Sequence, residues 1–243
     1  ENVDAVTIAV PTINHHSVAR VVAESGVHML VEKPLAGNAH DAEKIIQCAD
    51  SAGVKLAVGH IERHNEVINY SKKAIVNGDW GKIQTMSSKR FSAYPERIRD
   101  VGVIFDLAIH DIDVISYISG DSVKTVYVSG GKLKNEKHED YVNLFLNFSD
   151  GKIGLCETNW LTPIKVRELD ITTNNCYIKI DYLNQEINVL SSQFEDIDES
   201  NLYQTPIKLN KQRLVLKGEE PLKNEIVDFL ESIVHNRQPL VSG

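Results

Sequence analysis

Hydrophobic and polar positions along the first eighty residues change period repeatedly, from continuous apolar runs to helical stripes and back. Residues 3–11 (VDAVTIAVP) form a continuous apolar, β-branched run, the pattern of a strand buried on both faces. Asn14 is placed to cap a helix that carries Val18, Val21 and Val22 on its inner side, and Gly26 ends it. Residues 28–32 (HMLVE) predict a second buried strand. Asn38 caps the next helix, with Asp41 and Glu43 in its first turn, where the helix dipole favours carboxylates. Ile45, Ile46 and Ala49 follow at helical spacing, Gly53 stops the helix, and residues 54–59 predict a third strand. A βαβαβ order of this kind implies a parallel sheet with right-handed crossovers.

The grammar changes after Trp80-Gly81. Residues 82–91 alternate polar and apolar, as a half-buried strand does, and a helix is expected over about Val103 to Ile118. Further strands are expected near 123–130, 141–149, 152–160, 166–173, 176–181 and 186–190. Asp150-Gly151 reads as a two-residue hairpin turn, and Asn174-Asn175 as another, because asparagine tolerates positive φ. Strands joined by tight turns make an antiparallel sheet. Residues 192–206 are the most loop-like stretch, and Leu222, Ile226, Phe229 and Ile233 mark an amphipathic helix near the end. The expected fold class is α/β plus α+β. A partial doubly wound parallel sheet (1–80) precedes a domain with a large open antiparallel sheet (81–243).

Composition narrows the function classes. The chain has 243 residues, 42% of them hydrophobic and 25% charged, with a formal charge of −8. Its Lys and Arg are scattered, which argues against nucleic acid, since phosphate neutralisation needs clustered cations. No apolar run approaches the roughly twenty residues that span a bilayer, so no membrane partner is expected. Three cysteines (Cys48, Cys156 and Cys176) without a CxxC pair point to reduced thiols and a cytoplasmic setting. The chain begins at Glu1 without methionine, and no GxGxxG turn occurs, although a dinucleotide fold opens with one. Either the fold is of another kind or the chain enters a doubly wound sheet halfway; the second is expected, with about two βα units before residue 1 missing.

Two constellations carry candidate chemistry. Glu32-Lys33-Pro34 places a lysine at the carboxyl edge of the parallel sheet, where such sheets bind ligands and where an ammonium can stabilise a developing alkoxide. The plain alternative is a solvated lysine that begins a loop. Asp106 and His110, four residues apart on one helix face, can act together on a substrate hydroxyl. Their apolar surroundings admit a helix cap or a core histidine as well, and Asp111 or Asp113 could be the acidic partner instead. His60-Ile-Glu62-Arg63-His64 is out of register for HExxH, so no metal site is expected.

The stretches AVPTINHHSVA (9–19), VEKPLA (31–36), VGHIERHN (58–65), DLAIHDIDV (106–114) and PLKNEIVDFLESI (221–233) together resemble the Gfo/Idh/MocA oxidoreductases, in that family's order and spacing. The resemblance implies a Rossmann domain, a second domain whose open sheet serves homo-oligomer contacts in a dimer or tetramer, and NAD or NADP as cofactor. Lys33, Asp106 and His110 then match the catalytic positions: His110 takes the hydroxyl proton, Lys33 steadies the oxyanion and Asp106 positions the imidazole. Val10, Pro11, Thr12, His15, Glu32 and Lys33 match the segments that line the dinucleotide, and the family often has a cis bond where Lys33-Pro34 stands. GHIERHN is similar to GHIERFNP of a subgroup acting on nucleotide sugars, the UDP-N-acetylglucosamine 3-dehydrogenases, with His64 in place of phenylalanine and Glu66 in place of proline. That likeness makes Arg63 and Asn65 candidate substrate contacts, and charge alone adds Arg90 and Arg97 as candidates for a diphosphate. The implied activity is oxidation of a secondary hydroxyl of a sugar or nucleotide sugar. The alternative is a non-catalytic dinucleotide or sugar sensor on the same fold.

Overall fold

In the computed structural model, residues 3–96, 98, 101–134, 136–194 and 207–243 are described. The chain forms two compact units, residues 1–65 with 218–243, and residues 66–217.

In the first unit, β1 (Ala5–Ile8), β2 (His28–Glu32) and β3 (Leu56–Gly59) form a parallel sheet in that order. The first strand is shorter than its apolar run. Residues 9–11 leave the sheet and lead into a 3-10 turn at Thr12–Asn14. Helix α1 (His15–Glu24) starts there without a side-chain cap from Asn14, a correction to the expected N-cap: Asn14 has helical φ/ψ inside the 3-10 turn, so its side chain is not aimed at the first helical N–H groups. Helix α2 (Ala39–Ala52) is capped as its sequence requires, the Asn38 side chain accepting the Asp41 N–H at 2.9 Å, and it ends at left-handed Gly53. Both helices cover one face of the sheet, around Ile8, Met29, Val31 and Ile45. Helix α5 (Pro221–Val234) covers the other, with Phe229 against Leu30 and Ala57. The chain's last residues then pair with β3, Val58 donating to the Val241 carbonyl at 3.1 Å.

The second unit begins with α3 (Glu66–Asn77) and is built on a twisted eight-stranded sheet. Its strands are β4 (Ile83–Phe91), β5 (Val123–Gly131), β6 (Tyr141–Phe148), β7 (Ile153–Asn159), β8 (Val166–Thr173), β9 (Tyr177–Asp181), β10 (Glu186–Phe194) and β11 (Ile207–Val215). Their order is β11-β10-β9-β8-β4-β7-β6-β5, antiparallel except where β4 runs parallel to β7. Strand β11 lies beyond the last strand expected from the sequence, and residues 195–206 of the expected loop lie outside the described residues. Alternation along β6, β8 and β9 sends Leu144, Leu146, Leu169, Ile171, Ile178 and Ile180 inward, against Ile115 and Ile118 of helix α4 (Ile109–Ser119).

A hairpin forms at Asp150-Gly151 with a longer loop than the two residues expected: the Phe148 N–H donates to the Lys152 carbonyl at 3.0 Å, and the N–H of Gly151, at φ 93°, donates to the Phe148 carbonyl at 3.2 Å. The Asn174-Asn175 turn forms differently from expectation, because neither asparagine has positive φ. Thr173 Oγ1 instead accepts the N–H groups of Asn175 and Cys176. The compact units also divide differently from a boundary at residue 80. Helix α3 belongs with the large sheet, and α5 returns to the parallel one, because each buries its apolar face there.

Candidate functional site

The first group of candidate residues sits at the carboxyl ends of the three parallel strands, the edge at which open α/β sheets bind ligands. Val10 and Pro11 are exposed there and Thr12 is half-exposed, offering a small apolar shelf. His15 is 1% exposed and ties two of these strand ends together. Its Nε2 lies 2.8 Å from the Val10 carbonyl oxygen, and its Nδ1 lies 3.0 Å from that of Pro34 and 3.2 Å from that of Leu35. Val10, Pro11, Thr12, His15, Glu32 and Lys33 thus belong to one edge, but His15 touches main chain and holds the loops around it. Lys33 is half-buried, and its peptide bond to Pro34 is cis. Its main-chain N–H donates to Glu32 Oε2 at 3.3 Å.

The GHIERHN segment follows β3 as a 3-10 turn, Ile61–His64. Arg63 is half-exposed on this turn. Asn65 is buried, and its Nδ2 donates to Glu62 Oε2 at 3.2 Å, so its amide shapes the turn. His64 is also buried, its carbonyl accepting from Asn224 Nδ2 at 3.3 Å. Burial holds its imidazole below the usual range, and Asp228 opposes that effect. Among the described residues, no group of three or more His, Cys, Asp and Glu side chains is placed to hold a metal ion.

The second group lies in the other unit, where the helix holding Asp106 departs from the expected regular α-helix. Residues Ile104–Ala108 are π-helical and pass into α4 at Ile109. Asp106 therefore lies in a wide turn of the type that recurs at functional sites, and His110 lies in the α-helical turn after it. Both side chains are half-buried. Glu139 fixes the start of this helix, since its carboxylate accepts the Ile104 N–H at 3.1 Å and its carbonyl accepts the Val103 N–H at 3.0 Å. Gly102 leaves room for that carboxylate, which a Cβ at the position would overlap.

Arg90 requires a correction. Instead of being poised for a diphosphate it is 2% exposed, and its Nε donates to Asp111 Oδ2 at 2.9 Å. Its guanidinium lies 5.4 Å from the centre of the Tyr182 ring. Ordering α4 against β4 is thus the role of Arg90, and Asp111 is its buried partner. Arg97 lies outside the described residues.

Two residues escaped the sequence reading. Glu139 has no local signature, because it acts on a helix 35 residues away in the chain. Glu225 does have one, a carboxylate on the apolar stripe of α5, one turn before Phe229. It is 3% exposed, and burial, then Glu32 and Glu220, push its carboxyl up to about 7.

Residues 1–60 match the model of an oxidoreductase family with an NAD-binding Rossmann fold, and residues 68–178 match the GFO/IDH/MocA C-terminal domain. The chain is 27% identical over 241 residues to UDP-N-acetylglucosamine 3-dehydrogenase of Acidithiobacillus ferrooxidans, covering 99% of this chain and 74% of that protein. It is 27% identical over 252 residues to myo-inositol 2-dehydrogenase of Thermotoga maritima, covering 100% of this chain and 73% of that protein. A crystal structure of the Acidithiobacillus enzyme superposes with a TM-score of 0.86 at 25% identity, covering 99% of this chain and 73% of the other. Levoglucosan dehydrogenase in complex with NADH shares the fold at a TM-score of 0.81 and 17% identity, covering 99% of this chain and 73% of its own. With a matching family model on each of its two units, the chain belongs to the GFO/IDH/MocA oxidoreductases, enzymes built on an NAD-binding Rossmann fold.

Proposed function

We propose that this enzyme oxidises a secondary hydroxyl of a sugar, nucleotide-linked, with NAD or NADP as acceptor. The observation that carries the reading is the ordered strand edge, where the Lys33 turn, the 9–12 loop and the His15 clasp come together at the carboxyl ends of a parallel sheet. The exposed apolar surface at Val10 and Pro11 suits a flat nicotinamide ring and its ribose. Val10, Pro11, Thr12 and Glu32 are the residues assigned to hold the dinucleotide, with His15 acting through the loops it joins. When bound, the nicotinamide supplies the hydride acceptor.

The chain's own residues do the rest. Lys33 donates to the substrate oxygen and stabilises the negative charge that develops as the proton leaves. His110 accepts that proton, and Asp106 orients the imidazole from the π-helical turn. Arg63 is the candidate contact for a phosphate of the nucleotide sugar, and Asn65 positions the turn that presents it. Support for the nucleotide-linked class comes from the GHIER segment and from the Acidithiobacillus relative. The outward face of the large sheet, with Tyr127 72% exposed and Tyr141, Phe145, Leu155 and Tyr177 also exposed, supports a homo-oligomer through that surface.

A panel of UDP-, GDP- and dTDP-sugars with either cofactor, followed by the absorbance of the reduced nicotinamide, tests the assignment. Turnover with at least one nucleotide sugar is expected, lowered about 100-fold or more by Lys33→Ala with dinucleotide affinity retained. Turnover only with free sugars or inositols would remove the nucleotide-linked part, and undiminished turnover in Lys33→Ala would remove the mechanism.

A further inference from the structure

Several observations converge under the Lys33 turn, all within the first unit. Period-two alternation along β2 puts His28, Leu30 and Glu32 on one face, and Leu30 on that face packs against Phe229 of α5. Glu225 lies one helical turn before Phe229, on the same side of α5, so it is carried toward the end of β2 occupied by Glu32. The Glu32 carboxyl lies over Gly59, its partner in the sheet register, and a Cβ at Gly59 would come within 3.0 Å of Glu32 Oε2. That same Oε2 accepts the main-chain N–H of Lys33.

Glu225 is buried, and its Oε1 has no hydrogen-bond partner among the described residues. Glu32 from β2 and Glu220 from the start of α5 act on it electrostatically, and both are acidic. The 3-10 turn packed against α5 brings Glu62, Arg63 and His64. Burial and the neighbouring carboxyls both oppose ionisation of Glu225, and an unpaired buried charge is the costliest state available to it. An uncharged acid there removes both penalties.

We propose that Glu225 is a positioning residue for Lys33: as the neutral member of a carboxyl pair, it leaves Glu32 free to hold the Lys33 main chain at the sheet edge. Glu225 keeps its proton below neutrality and gives it up as pH rises through about 7. Ionisation of Glu225 sets two charges against each other beneath the turn, and the Glu32 carboxyl is pushed from its place over Gly59. Lys33 loses its fixed direction as a result. The burial and repulsion that push the Glu225 carboxyl up to about 7 put this event in the range where a dehydrogenase works. The consequence for catalysis rests on the reading of Lys33 as the oxyanion donor, whereas the pair itself does not.

The test follows the Lys33 amide by proton–nitrogen NMR from about pH 5 to about pH 9 in the full chain. The expected result is a titration of that amide with a midpoint near neutrality. It disappears in Glu225→Gln, a mimic of the uncharged acid, and moves down toward the ordinary carboxylate range in Glu32→Gln. In the pH profile of kcat/KM, the limb belonging to the pair is lost in Glu225→Gln. A wild-type Lys33 amide that does not titrate near neutrality, or one that titrates unchanged in Glu225→Gln, overturns the proposal. Should Glu225→Gln fail to fold, the shift in Glu32→Gln decides. If the amide titrates as expected while Lys33→Ala leaves turnover intact, the pair stands and the dehydrogenase mechanism falls.

Discussion

The two units fix their candidate chemistry by opposite means. In the parallel unit the reactive edge is made of loops, and what orders them is a set of polar side chains addressed to main chain, His15 to three carbonyls and Glu32 to the Lys33 N–H. In the large-sheet unit the candidate pair stands on a helix, ordered by a buried side-chain ion pair, Arg90 with Asp111, and by the cap from Glu139. Loop ends lack the cooperative hydrogen-bond ladder of a helix, so each one needs its own tie. A helix needs only its start and its rotation fixed. Damage should therefore stay local in the first unit and spread in the second.

The sharpest way to break the contrast is Asp111→Ala, which removes the carboxylate that faces the buried Arg90 Nε. The expected loss is about 3–5 kcal/mol, seen as a large fall in the denaturation midpoint. An Arg90→Met, Asp111→Leu double variant should recover most of it, because the desolvation cost disappears with both charges. If the single variant is as stable as the parent, the pair does not organise α4.

Glu225 gives the next effect, and its sign is definite. Its folded-state carboxyl is raised from the ordinary 4.5 to about 7, so the folded protein binds the proton more tightly than the unfolded chain does. The associated stability is fully present below about pH 4.5 and is lost as pH rises through about 7, at most about 3 kcal/mol and less where water reaches the group. Urea denaturation across that window should show the decline in the parent and a flatter curve in Glu225→Gln.

His15→Ala removes the ring that joins the strand-end loops, and about 1–3 kcal/mol should go with it. The distinguishing measurement is affinity: dinucleotide binding should weaken in His15→Ala beyond what the same stability loss produces at Asn38. The smallest change is Asn38→Ala, which deletes the α2 cap. It should cost about 1 kcal/mol with no effect on dinucleotide binding, the control for a change confined to stability.

Much of this architecture is legible in local pattern. The β2 run 28–32, the Asn38 cap, the Gly53 stop and the Asp150-Gly151 hairpin were each carried by residues a few positions apart. Lys33 stood out because a strand end followed by proline is itself a local signal, and Asp106 with His110 because their spacing is helical. The π-helical turn was hidden. Its start is held by Glu139, across a loop and a strand end, and periodicity does not report a one-residue widening. Arg90 was misjudged for a related reason, since a charged residue in an alternating strand looks the same whether its partner is solvent or Asp111.

By itself, then, the order of residues determined the element types, most of their ends, the two sheet classes and the positions bearing lysine, aspartate and histidine, since these depend on backbone period, caps and turns within a few residues. Only the folded chain decided that β4 runs parallel to β7, that α3 and α5 join different units, that Arg90 is buried and that Glu225 belongs to the face bearing Glu32. Those outcomes depend on which apolar surfaces find each other across long stretches of sequence, and on the cost of leaving a charge among them without a partner.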